Sequence, residues 1–229
     1  MENIYFTILE YIPFALMVLI CLPIHEVAHG FVANKLGDDT AYYQGRLTLN
    51  PFAHLDIVGT LAMIFLRFGW AKPVPVNPTR FKCNMRLGMA LTALAGPVSN
   101  LLLSLVFMIF SKGVILIGEA TNNEFFFFLN WIFSTMCFTN IYLAFFNLLP
   151  IPPLDGSRIL NYFLPYRASQ WYEKIERYSF IILIAFIYGL GDVFTSVVSF
   201  VGEWIIWFFD KITFFMGDMI FLQLSYFLN

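Results

Sequence analysis

Long apolar runs separated by short polar breaks organise this chain. The first run covers residues 7–33, long enough to cross a bilayer with some tilt. A second covers 86–117 and a third 125–149, divided by a short acidic turn at 119–124. The tail carries apolar segments at 178–190, 193–209 and 212–228, with separators around Asp192 and Asp210-Lys211. The stretch between the first two long runs reads differently. Residues 41–51 (AYYQGRLTLNP) are polar and rich in strand-favouring types, with a turn at Gln44-Gly45. Residues 52–70 are apolar only in their second half and too short for a span. In 70–78 (WAKPVPVNP), alternating proline and valine forbid helix and predict an extended edge segment. The pattern predicts an all-α membrane protein, a polytopic helix bundle of about 5–6 spans. It adds a small strand-rich insertion over 41–82, at the membrane surface or re-entrant, and one domain over 1–229. Non-helical backbone at membrane depth needs protein or a wet cavity to satisfy it.

Composition supports lipid as the solvent. Hydrophobic residues make up 59% of the 229, charged ones 12%, and the mean hydropathy is +0.74. Soluble domains carry about 25% charged residues. No Lys/Arg cluster resembles a nucleic-acid face, so that class is excluded. Cys21, Cys83 and Cys137 are scattered and form no C-x-x-C, so neither a disulfide framework nor a cysteine zinc site follows. The N-terminus lacks a basic region and a small-residue cleavage site and carries Glu2 and Glu10, so the first run reads as retained.

Charge also orients the chain. Residues 35–86 hold seven of the thirteen basic residues (Lys35, Arg46, Arg67, Lys72, Arg80, Lys82 and Arg86). Residues 155–177 add Arg158, Arg167, Lys174 and Arg177, whereas 119–124 is purely acidic. The positive-inside rule puts both basic segments in the cytoplasm and the N-terminus outside, in the cell membrane.

Candidate chemistry begins inside the first run, at His25-Glu26-x-x-His29. On a helix this spacing sets two imidazoles one turn apart on one face with a carboxylate beside them, as a zinc hydrolase requires. Ionisable groups at membrane depth are a functional signal by default. The motif lies in the C-terminal half of its helix, toward the cytoplasmic side. A catalytic zinc usually takes a third protein ligand. His54, Asp56 and Asp155 are the candidates, and Asp155 stands out by context. It closes NLLPIPPLDG (147–156) directly after an apolar span, where three prolines in four positions must unwind the backbone. A helix cap paired with Arg158 is the plainer alternative for Asp155. Cys21, one turn before His25, is better read as a small apolar filler than as a ligand.

HExxH on one transmembrane helix, AGPVSN on a second and NLLPIPPLDG closing a third together resemble the site-2 protease family of intramembrane zinc metalloproteases. The stretches GRLTLNPFAHLDIVGT and WAKPVPVNP look like its compact members, and the similarity covers a core of about 8–160, with C-terminal helices over 175–229. The resemblance implies one Zn2+ per chain held by His25, His29 and Asp155, with Glu26 as the catalytic carboxylate. It further implies that Asn147 holds the substrate backbone or the oxyanion. The implied partners are the lipid bilayer and a membrane-protein substrate, cleaved in or near its transmembrane helix. No insertion is long enough for a PDZ domain, and no nucleotide-sensing pair is visible. A metal transporter or sensor using the same ligands is the alternative, and Glu26 separates the two. His54 reads as a loop-positioning residue, Asn100 and Gly96-Pro97 as packing features, and Asn147 could alternatively be an interhelical donor. The 41–82 edge is expected to hold an unwound substrate strand by β-addition.

Overall fold

The computed structural model describes residues 11–66 and 69–213. Every regular element among them is helical. Helix α1 covers Tyr11–Lys35 and contains a π-helical turn at Met17–Cys21. That wide turn lies just upstream of Pro23, whose ring removes a backbone donor and crowds the preceding turn. The helix closes where Gly37 takes φ 107°. The N–H groups of Gly37 and Asp38 then cap the Asn34 and Ala33 carbonyls, each at 3.0 Å. Two short helices follow, α2 (Thr40–Tyr43) and α3 (Ile57–Leu66). Ten residues rise about 15 Å, half of a hydrocarbon core, so α3 cannot cross by itself. Asp56 starts it by accepting the Gly59 N–H at 2.8 Å.

The strand-rich insertion is not formed. Among the described residues of 41–82 there is no β-strand, only an isolated antiparallel bridge between Leu55 and Ala71. Residues 72–77 form neither helix nor strand, and side chains take the backbone groups that a ladder would use. Arg46 donates to the Lys72 and Pro73 carbonyls, Val74 N–H goes to Glu26, and Asn77 N–H goes to Asp38. The edge expected to receive a substrate strand is therefore already engaged by α1 and the loop that follows it.

Helix α4 (Met85–Thr121) is 37 residues long and begins on Asn84, whose side-chain oxygen accepts the Arg86 and Leu87 N–H groups. It runs unbroken through Pro97. Helix α5 (Glu124–Leu148) returns, and α6 (Asp155–Phe163) and α7 (Tyr166–Ile175) are short and amphipathic. The tail segments 178–190 and 193–209 form one helix, α8 (Ser179–Ile212), with Asp192 inside it. Gly189 and Gly191 cost about 1 kcal/mol each against alanine, too little to end a proline-free apolar helix. Among the described residues, four stretches are thus long and apolar enough to cross a membrane (Tyr11–Lys35, Met85–Thr121, Glu124–Leu148 and Tyr166–Ile212), against the five or six expected for the whole chain. Nearly all of the last expected segment, 212–228, lies outside the described residues.

The chain divides into two compact units. One contains Phe14–Asn100 and Leu143–Leu190 and holds every candidate site residue; the other contains Leu101–Tyr142 and the chain from Gly191. The second unit buries polar groups in pairs, as a spanning region must. Ser111 hydrogen-bonds Asn130 at 2.6 Å and Ser134 at 2.9 Å, and the fully buried Lys112 Nζ meets Oδ1 of the nearly buried Asp210 at 2.6 Å. Lys112→Met is expected to destabilise the protein by about 3–5 kcal/mol, because it strands the Asp210 charge. Thermal unfolding in detergent checks this, and Lys112→Met/Asp210→Leu should recover most of the loss.

Candidate metal centre

Helical spacing on α1 sets His25 and His29 edge to face, with ring centroids 4.7 Å apart. Each ring is oriented from α4. His29 Nδ1 lies 2.7 Å from the Thr92 carbonyl oxygen and His25 Nδ1 lies 3.3 Å from Asn100 Oδ1. A carbonyl only accepts, so His29 carries its proton on Nδ1 and turns the Nε2 lone pair inward. The Asn100 oxygen favours the same tautomer at His25. Helix α4 approaches this closely at Gly96, which presents no Cβ to the rings, whereas Gly88, two turns earlier on the same row, packs on the Phe81 ring. A Cβ on Gly96 would lie 2.5 Å from His25 Cε1 and from His29 Cε1 and Nε2.

The third group arrives from the turn after α5. Prolines 150, 152 and 153 end the helix, and the Pro152-Pro153 peptide is cis. The chain folds back so tightly that a Cβ on Gly156 would collide with the Leu148 carbonyl, which is why glycine follows the aspartate. Tyr172 Oη on α7 donates to the Pro150 carbonyl at 2.8 Å and braces the turn. Asp155, the first residue of α6, thereby puts Oδ2 3.4 Å from both His25 Nε2 and His29 Nε2, which are 3.1 Å from each other. Ligands about 2.0–2.1 Å from a tetrahedral zinc stand roughly 3.3–3.4 Å apart, so these three atoms fit one ion. His25, His29 and Asp155 form a group able to hold a metal. Asp155 Oδ2 is buried without a hydrogen-bond donor. Two lone pairs and an anion converging without a donor call for a cation. With side chains 12–18% exposed, the group is sheltered yet reachable.

Glu26 stands beside this group, its Oε2 accepting the Val74 N–H at 2.9 Å. Gly30, one turn on, leaves room for Leu47 and Val74, which a Cβ would meet at 2.5 and 2.9 Å. Asn147 is half-buried in the last turn of α5, eight residues before Asp155 (155 − 147). The other candidates are engaged elsewhere. His54 is fully buried with Nε2 2.7 Å from the Thr48 carbonyl and its own carbonyl on Lys72 N–H, so it positions the loop. Asp56 caps α3. Cys21 is buried and lies outside the metal group. Asn100 and Gly96, read from sequence as packing, touch the imidazoles directly. The AGPVSN motif was their signal. Thr92 acts through its backbone and Val74 through an N–H, and neither contribution has a side-chain signature.

Residues 13–190 match the profile of Peptidase family M50. YwhC of Bacillus subtilis, provisionally named a zinc metalloprotease, is 41% identical over 84% of this chain and 88% of its own length. Rip2 of Mycolicibacterium smegmatis carries the same provisional description and is 24% identical over 84% of this chain and 71% of its own. Rip2 of Mycobacterium tuberculosis (strain H37Rv) is 27% identical over 72% of this chain and 62% of its own. No solved structure matches the chain.

Proposed function

Because the chain belongs to peptidase family M50 and is an intramembrane zinc metalloprotease, we propose that His25, His29 and Asp155 hold one zinc per chain and that Glu26 is its catalytic carboxylate. The convergence of three acceptor atoms within 3.1–3.4 Å carries the ligand assignment. When bound, zinc supplies Lewis acidity at a position left open by three protein ligands. The chain's own groups do the rest. Val74 N–H occupies Oε2 of Glu26, leaving Oε1 to take a proton from the attacking water. As the water oxygen bonds to the scissile carbonyl carbon and the C–N bond breaks, Glu26 returns that proton to the leaving nitrogen. An amide donor from Asn147 stabilises the negative charge on the former carbonyl oxygen.

The substrate is a membrane-embedded protein, and the bond cleaved lies in or near its transmembrane helix, which must unwind locally to reach the sheltered site. The site faces the cytoplasm in this reading. Arg86 Nη1 donates to the Leu164 carbonyl at 3.0 Å and Lys82 N–H to the Leu36 carbonyl at 2.8 Å. These bonds tie the two basic segments and the end of α1 together, which supports a single cytoplasmic face for them.

Metal analysis tests the ligand set. The purified wild-type protein should contain one zinc per chain. Chelation should abolish cleavage of a transmembrane substrate, and added zinc should restore it. Asp155→Asn should lower zinc occupancy well below one and cleavage with it. Full zinc occupancy in Asp155→Asn would remove Asp155 from the set.

A further inference from the structure

Arg46 has no part in the ligand set or the proton transfer, yet its surroundings point at both. The side chain is only 9% exposed, and among the described residues no carboxylate pairs with it. A buried guanidinium without a counter-ion is costly unless its donors are used. Nη2 donates to the Lys72 carbonyl at 2.8 Å and the Pro73 carbonyl at 3.2 Å. The Pro73 carbonyl and the Val74 N–H belong to one peptide plane, and that N–H is the donor to Glu26 Oε2 at 2.9 Å. A trans peptide sends its C=O and N–H in opposite directions. Fixing the carbonyl on the guanidinium therefore aims the N–H at the carboxylate. Pro73 and Pro75 have no N–H, so Val74 carries the only amide donor of this tripeptide.

We propose that Arg46 is a positioning residue for hydrolysis, holding Glu26 through the single peptide plane between Pro73 and Val74. This rests on Glu26 being the catalytic carboxylate. The cationic end polarises the peptide, which strengthens the hydrogen bond at its other end. The carboxylate is thereby kept in one rotamer beside the metal group, with Oε1 free.

The experiment measures kcat, KM, zinc content and thermal midpoint of the full-length protein in detergent on a transmembrane substrate. The variants are Val74→Pro, Arg46→Ala, Arg46→Lys, Arg46→Ala/Val74→Pro and Glu26→Gln. Val74→Pro deletes the N–H in a backbone already shaped by proline. It should lower kcat about 10- to 100-fold with KM little changed and one zinc retained. Arg46→Ala should lower kcat comparably, and Arg46→Lys should recover part of it. Because both changes act through one peptide, the double variant should be no slower than the slower single variant. Multiplicative losses, or a Val74→Pro enzyme with wild-type kcat, would overturn the proposal. If Arg46→Ala does not fold, Val74→Pro and Arg46→Lys decide it: unchanged kcat in either overturns it, and reduced kcat in both with zinc and KM kept supports it. An active Glu26→Gln enzyme defeats the reading of Glu26 itself, whereas an inactive one beside a fully active Val74→Pro defeats only the role of Arg46.

Discussion

Glu26→Gln is expected to keep one zinc per chain and to lower kcat about 10²- to 10⁴-fold, the range for losing a general base. The substitution is nearly isosteric, and the glutamine oxygen can still accept the Val74 N–H that now holds Oε2. What disappears is a group able to take a proton and return it to the leaving nitrogen. Metal content and cleavage of a transmembrane substrate, measured on the same preparation, separate this from a collapsed site. The same variant separates hydrolysis from metal transport. A transporter using His25, His29 and Asp155 has no need of Glu26, so its zinc flux would survive the change.

Gly96→Ala should remove most of the zinc and reduce cleavage at least about 100-fold, although residue 96 is not a ligand. The new methyl would lie 2.5 Å from atoms of both imidazoles, including His29 Nε2, the atom that faces the metal position. Either the rings turn or α4 retreats, and retreat would lengthen the bonds from His29 to Thr92 and from His25 to Asn100. Overpacking of this kind costs about 1–3 kcal/mol. Displacing a positioned group by 1 Å costs about 10²-fold in rate. Gly189→Ala is the matched control. It also lies in a long helix, but a Cβ there meets nothing within 4 Å, so zinc content and activity should be unchanged. Retention of full zinc in Gly96→Ala would show that the close approach of α4 is not needed at the site.

Local sequence signals describe backbone conformation more reliably than they describe its partners. The segment around Pro73 and Pro75 is non-helical, as its prolines require, but forms no sheet. Its partners are the side chains of Arg46, Glu26 and Asp38, which lie from 27 (73 − 46) to 48 (74 − 26) residues away or are otherwise distant in sequence. Local propensity reports the backbone conformation and is silent on what satisfies it. The break expected around Asp192 in the tail is absent, and Gly189, Gly191 and Asp192 all lie inside one helix. An uninterrupted apolar helix overrides a cost of about 1 kcal/mol per glycine.

By itself the sequence determined the membrane setting, the helical class, the pair of histidines one turn apart and the acid after the proline-broken span. Each of these follows from period, composition or local backbone chemistry. The site-2 protease resemblance links His25, His29 and Asp155 from their motifs alone. Tertiary structure decided what those motifs need in order to converge. It brought Asp155 Oδ2 to 3.4 Å from both imidazoles across 126 residues (155 − 29), and it set the Thr92 carbonyl and Asn100 behind them. It also put a peptide N–H on Glu26. These are distances between remote backbones, made possible by glycines 30, 96 and 156, where the absent Cβ is the functional feature. A missing atom leaves no chemical signature in a sequence until the surface packed against it is known.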